Sequence, residues 1–276
     1  MLMKVHKMGN KLGIYFPKNK QSHKKRELLL LTVTKNYKKV EIIIKFNYNI
    51  TIRKQFVDKL KLEQDDIINI KISKIKNLER SKELFQNDKI DLLSLIPKKT
   101  SQGYEIIASQ FFKNNEVWLK LWYSHNKGSG HQLELRRFID IKKFGSLLGQ
   151  YQAEGTKHKN TTKKFYIKFT NKLIKEHIDY LIYLKELGIP KEKTKFRFAY
   201  NPNKVKKETI NHYINNFRKN INLRLKVSEE KQNKGMGFDC IFHNIILTEI
   251  ILNSMDKIRK LLANTRGYNK NQKILV

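Results

Sequence analysis

Scarcity is the first signal in this 276-residue chain. It holds one cysteine, which excludes an intramolecular disulfide framework and any all-cysteine zinc site. Apolar runs are short. The longest, Leu28 to Leu31 and Ile42 to Ile44, are of strand size, far below the roughly 18 residues of a bilayer span. The opening MLMKVHKMGNK is not followed by a secretory apolar stretch. These absences set the expectation of a soluble, cytoplasmic protein with no membrane partner. The eight histidines are dispersed, with no pair at ligand spacing on one helix, so a dedicated zinc site is not expected. GTKHKNTTKK at 155–164 lacks the spacing of a phosphate cradle, so no nucleotide cofactor is expected either.

Acid is scarce too. The chain has 25 Asp+Glu against 58 Lys+Arg, a formal net charge of +33. Self-repulsion of that size works against a compact chain unless something polyanionic meets it. Nucleic acid is the first candidate, anionic membrane the second, and a general lysine-rich bias the bland alternative. The lysines are spread among short strand-like segments, which suits a saddle or groove better than a membrane-lying helix. Hydrophobic residues at 39% and aromatics at 11% suffice for real cores.

Four stretches are expected. Residues 1–80 read as β-rich with one short helix, and their first 26 residues hold eight Lys/Arg and no acid. Two strands are expected around Asn36, then strand, short helix, acidic turn and strand over 49–75. Residues 81–140 are a β-rich middle region or connector, with a hairpin turn at Asn114-Asn115. Its aromatic run QFFKNNEVWLKLWY (110–123) is either a stacking platform for unpaired bases or, more simply, a strand with a core face. Residues 141–262 alternate helices and strands, and 263–276 form a basic tail. Over 171–189 the apolar positions Leu173, Ile174, Ile178, Leu181, Ile182 and Leu184 mark a buried helix side that stops at Gly188.

Two resemblances carry the functional reading. Residues 49–72, ending Asp66-Ile-Ile-Asn-Ile70, together with KMGNKLGIYFPK, resemble the AbrB/MazE-type swapped-hairpin DNA-binding fold. Leu147-Leu-Gly-Gln-Tyr-Gln-Ala-Glu-Gly155 resembles the nine-residue motif of the LAGLIDADG homing endonucleases, departing from it at Leu148, Gln150, Tyr151 and Gln152. The physics of the motif stands apart from the family. Gly145, Gly149 and Ala153 lie four apart on one helix face, where a second helix could cross closely. A carboxylate at a helix C-terminus, here Glu154, is disfavoured by roughly 0.3–1 kcal/mol, a sign that a bound divalent cation would reverse.

The second resemblance implies an α+β fold: an αββαββα domain whose basic antiparallel sheet binds double-stranded DNA. It implies a homodimer through Gly145, Gly149 and Ala153, because one motif supplies one acid. It also implies Glu154 as the ligand of a catalytic Mg²⁺ ion that activates water. Lys226 is the candidate basic residue supporting that water, with His158 as its competitor. Between Gly155 and Lys175 there are seven lysines, one histidine and no acid. The candidate DNA contacts are Lys157, His158, Lys163, Lys164, Tyr166 and Lys168, then Lys193, Lys195, Arg197 and Tyr200 on the next strand. The expected activity is site-specific, metal-dependent DNA cleavage. The alternative is a non-cleaving regulator or RNA maturase of the same fold.

Overall fold

Asparagines at positive φ shape three of the hairpin turns, at Asn36, Asn87 and Asn114-Asn115. A computed structural model describes residues 1–17, 23, 27–124, 128–129, 131–155, 166–231 and 235–257. It divides into two compact units, the first built from Met1–Glu79, Gly103–Phe111 and Lys120–Leu133, the second from Arg80–Gln102, Phe112–Leu119 and Glu134 onward.

In the first unit, β1 (Leu2–Met8) and β2 (Lys11–Tyr15) form a hairpin. A second hairpin joins β3 (Leu28–Lys35) to β4 (Lys38–Lys45) through Asn36 and Tyr37, both at positive φ. β5 (Asn49–Thr51), α1 (Lys54–Leu60) and β6 (Ile67–Lys74) follow in the expected order. Alternation on these strands sends Val5, Ile14, Leu29, Leu31, Val33, Ile42, Ile68 and Ile70 to one face, where they bury together with Leu60 of α1.

The stretch expected as a middle region is shared between the units. It holds β7 (Phe85–Gln86), β8 (Lys89–Asp91), β9 (Ile107–Lys113), β10 (Glu116–Tyr123), β11 (Gly128–Ser129), β12 (His131–Arg136) and β13 (Phe138–Asp140). The antiparallel sheet of the first unit runs in the order β11-β4-β3-β6-β1-β2-β5. β10 shows why the stretch is shared. Its Trp122 packs with Ile43 and Ile107 in the first unit, while the ring of Trp118 lies against Gly188 in the second. Trp118, Trp122 and Tyr123 are all buried, so they serve cores and not base stacking.

The second unit continues with α2 (Ile141–Glu154), β14 (Ile167–Asn171), α3 (Ile174–Glu186), β15 (Lys195–Tyr200), α4 (Lys207–Asn220), β16 (Leu225–Glu229), β17 (Met236–Phe242) and a helix over 245–257, α5. Asp140 caps α2 by accepting from the Lys143 N–H at 2.9 Å. Gly188, at φ +88°, ends the turn after α3, as expected. The buried side of α3 differs from the apolar pattern. Leu173 and Ile182 are exposed, and His177 and Tyr180 take inward positions against Phe169.

The four-stranded sheet is ordered β14-β17-β15-β16. It is mixed, which corrects the expected antiparallel sheet and αββαββα order. α4 stands between β15 and β16, so the chain crosses back to the end at which β15 began and the two strands pair in parallel. α3 and α4 cover one face with an aromatic core in which Phe217 and Tyr213 meet Phe238 and Phe198. α5 is tied to 94–101 by polar contacts. Asn253 donates to the Leu95 carbonyl at 2.6 Å, and Glu249 accepts from the Ser101 N–H at 2.9 Å.

Candidate nucleic-acid interface

Period-two alternation builds a second, open face on the four-stranded sheet. With Ile167, Phe169, Phe196, Phe198, Phe238 and Cys240 turned into the core, the intervening residues point the other way. The register aligns them in rows. Lys168 stands opposite Ile241, and Ile241 opposite Lys195. In the next row Thr170, Asp239, Arg197 and Lys226 stand side by side across all four strands. An open cleft of about 400 Å³ runs over this face, lined by Tyr166, Lys168, Lys195, Phe196, Arg197, Lys226, Ile241 and His243. Five of those eight are DNA or catalytic candidates from the sequence.

One buried carboxylate organises the row. Asp239 is 4% exposed and accepts from Thr170 Oγ1 at 2.7 Å and from Arg197 Nε at 2.9 Å. Arg197 Nη2 lies 2.5 Å from the same carboxylate and Nη1 reaches Glu230, while Lys168 Nζ stands 3.6 Å from Asp239. A buried acid needs such partners, because leaving it unpaired would carry a large desolvation penalty. The Asp239 carboxylate in turn pushes the Arg197 guanidinium above its ordinary range. Arg197 is therefore neutralised within the protein. Lys195 and Lys226 are exposed and make no ion pair among the described residues.

His243 and Asp239 escaped the sequence reading. An out-facing acid in MGFDCIF is the only trace of the second, and its partner is 42 residues away. His243 has its ring 5.6 Å from that of Tyr166. Burial first, and then the Lys195 charge, push its imidazole below the ordinary range. The neutral form therefore dominates at pH 7.

The motif helix ends beside these rows. α2 buries Phe144, Leu147, Leu148 and Tyr151, which accounts for two departures from the family pattern: Leu148 and Tyr151 are core residues. Gln150 donates to Glu176 of α3 at 3.1 Å. Gly145, Gly149, Gln152, Ala153 and Glu154 are exposed, and a Cβ on Gly145 or Gly149 would meet nothing within 4 Å. Gly155 is different. A Cβ there would run into the Tyr151 carbonyl oxygen, whose lone pair accepts the Gly155 N–H at 2.8 Å. Gly155 also bridges Phe169 of β14, so the motif ends one residue from the Thr170–Lys226 row.

The other candidates scatter. Lys193 lies in a 3₁₀ turn, Lys191–Lys193, rather than on a strand. Tyr200 donates its hydroxyl to Glu229 at 2.8 Å. Lys157, His158, Lys163 and Lys164, like the tail 263–276, lie outside the described residues. Among the described residues no group of three or more His, Cys, Asp and Glu side chains is placed to hold a metal ion. No helix among them is long and apolar enough to cross a membrane.

Comparison adds no relative. The chain matches no family model, no curated protein and no solved structure.

Proposed function

We propose that this protein binds nucleic acid on the open face of the β14-β17-β15-β16 sheet and cleaves double-stranded DNA as a Mg²⁺-dependent homodimer of LAGLIDADG type. The observation that carries the reading is the two exposed lysines on that face, Lys195 and Lys226, which meet no acid among the described residues, in a chain of charge +33. A cleft lined by Lys168, Lys195, Arg197 and Lys226 suits a phosphate backbone, and such contacts set affinity more than sequence preference. The order of β5, α1 and β6 supports an AbrB/MazE-like role for the first unit as an additional DNA-binding arm.

The fit to Mg²⁺ depends on pairing. One chain brings one exposed carboxylate, Glu154, to the end of α2, beside a helix face whose glycines leave room for a close neighbour. Two such helices side by side would place two Glu154 carboxylates together, and these would hold the ion. When bound, Mg²⁺ supplies Lewis-acid stabilisation and an activated water. The chain's own residues do the remaining work in this reading. Lys195 and Lys226 hold phosphates, Lys226 supports the charge that develops at the scissile phosphate, and Asp239 keeps Arg197 flat on the sheet.

The test is a single-turnover assay, with Mg²⁺ and with EDTA, on duplex DNA carrying a site selected for binding from a randomised pool. Wild type should cut, and Glu154→Gln should bind in EDTA as tightly as wild type while losing cleavage. Full-rate cutting by E154Q would remove the metal-ligand role. Specific binding without any cut or nick by wild type would transfer the reading to a non-cleaving regulator or an RNA maturase.

A further inference from the structure

The β3–β4 hairpin departs from the turn preference that the β9–β10 hairpin follows more closely. A two-residue turn with both central residues at positive φ is of type I′ and calls for Asn-Gly. The hairpin between β9 and β10 meets the demand with Asn114 and Asn115, at φ 51° and 60°. At the β3–β4 tip the pair is Asn36 and Tyr37, at 45° and 65°. Of the eight non-glycine residues with positive φ among the described residues, five are Asn and one is Asp; Tyr37 is the sole aromatic. It is also fully exposed, at 104% relative accessibility. Its Cβ is disfavoured at this φ, and its exposed ring gains no packing in return.

The setting of the ring selects its partner. Residues 36–39 are all exposed, and Tyr37 is the one apolar ring among them. Lys35 is held at the hairpin root, its Nζ 2.5 Å from Asp66 and 2.7 Å from the Lys61 carbonyl. Lys39 pairs with Glu41 at 3.4 Å. Lys38, next to the ring, has no ion pair among the described residues. An exposed ring followed in sequence by a lysine with no ion pair among the described residues, at the tip of a two-residue turn, offers a π face and one phosphate contact. It lacks the surrounding apolar patch that a protein groove or a bilayer would require.

We propose that Tyr37 stacks on an unpaired or extruded base of a nucleic acid while Lys38 meets the adjacent phosphate. The inference rests on the nucleic-acid reading above and adds a base contact far in sequence from the sheet face. The test measures binding of the full chain to a labelled oligothymidylate, to a duplex, and to a stem-loop carrying 2-aminopurine in the loop. Wild type should bind all three and change the 2-aminopurine emission. Tyr37→Gly and Tyr37→Ala should weaken single-strand binding about tenfold, the scale of one base–aromatic stack, and abolish the emission change. Tyr37→Phe should keep both. Because Asn-Gly suits the turn, Tyr37→Gly should melt at the same or a higher temperature than wild type, so its loss of binding would not be a loss of fold.

Equal single-strand affinity in wild type, Y37A and Y37G would overturn the proposal while leaving the sheet-face reading intact. Failure of wild type to bind any of the three nucleic acids would overturn both. If Y37A instead lost retention on phosphatidylserine vesicles with oligonucleotide binding unchanged, the partner would be a membrane and the proposal would fall.

Discussion

His177 concentrates the residue-scale physics of the second unit. It is fully buried, with Nε2 3.1 Å from the Asn171 carbonyl and its ring edge-on to Phe169. Burial, the largest influence, pushes its imidazole below the ordinary 6.5. The folded state therefore keeps the ring neutral where the unfolded chain would protonate it. Stability from this residue is complete above about pH 6.5 and falls as pH drops from there toward the depressed folded value, by up to about 1.4 kcal/mol per pH unit. Urea unfolding from pH 8 to pH 5 should show that acid loss. His177→Gln should be less stable at pH 8 but flatter across the window. An unchanged slope in H177Q would mean that His177 does not carry the effect.

At the scale of the element, α2 separates two uses of glycine. Gly155 is required by its own chain, since any Cβ meets the Tyr151 carbonyl. Gly155→Ala should therefore destabilise the monomer by about 1–3 kcal/mol, the usual range for overpacking. Gly145 and Gly149 meet nothing, yet each weakens the helix by about 0.8–1 kcal/mol relative to alanine. Gly149→Ala should thus raise the melting temperature of an isolated chain. If α2 crosses a second α2, Gly149→Leu should push the backbones apart and give monomers in sedimentation equilibrium. A G149L variant that stays dimeric with unchanged DNA affinity would rule this helix out as the interface.

For the whole molecule the governing quantity is charge. With +33 to neutralise, binding should be dominated by counterion release. Affinity for duplex DNA should fall about 10³-fold or more between about 50 and about 200 mM salt if six or more phosphates are contacted. The ion pairs sort the contributors. Lys195→Ala and Lys226→Ala should each reduce the slope of log K against log salt by close to one phosphate's worth. Arg197→Ala should act differently, because its charge is already met by Asp239 and Glu230. Its loss leaves the buried Asp239 under-paired, so thermal stability should drop more than the slope does. A flat salt plot for wild type would end the electrostatic reading.

What the amino-acid order determined by itself is local. Asn36 and Asn114-Asn115 announced hairpins because asparagine tolerates positive φ. The 3.6-residue spacing announced α3, and Gly188 marked where α3 stops. The alternation of KFRFAY by itself separates Lys195 and Arg197 from Phe196 and Phe198. Everything that depends on distant partners was settled by packing. The apolar pattern of α3 did not show that Leu173 and Ile182 stay exposed while His177 and Tyr180 turn inward, because inward room depends on the sheet beneath. Pairing of β15 with β16 is parallel because α4 intervenes, a relation between segments that no window of sequence contains. Residues 81–140 divide between two units because the two ends of β10 bury against different cores. The candidate site followed the same division. Its lysines were legible from composition and alternation, but their order in rows, and the neutralisation of Arg197 by an acid 42 residues away, required the register that only the tertiary fold sets.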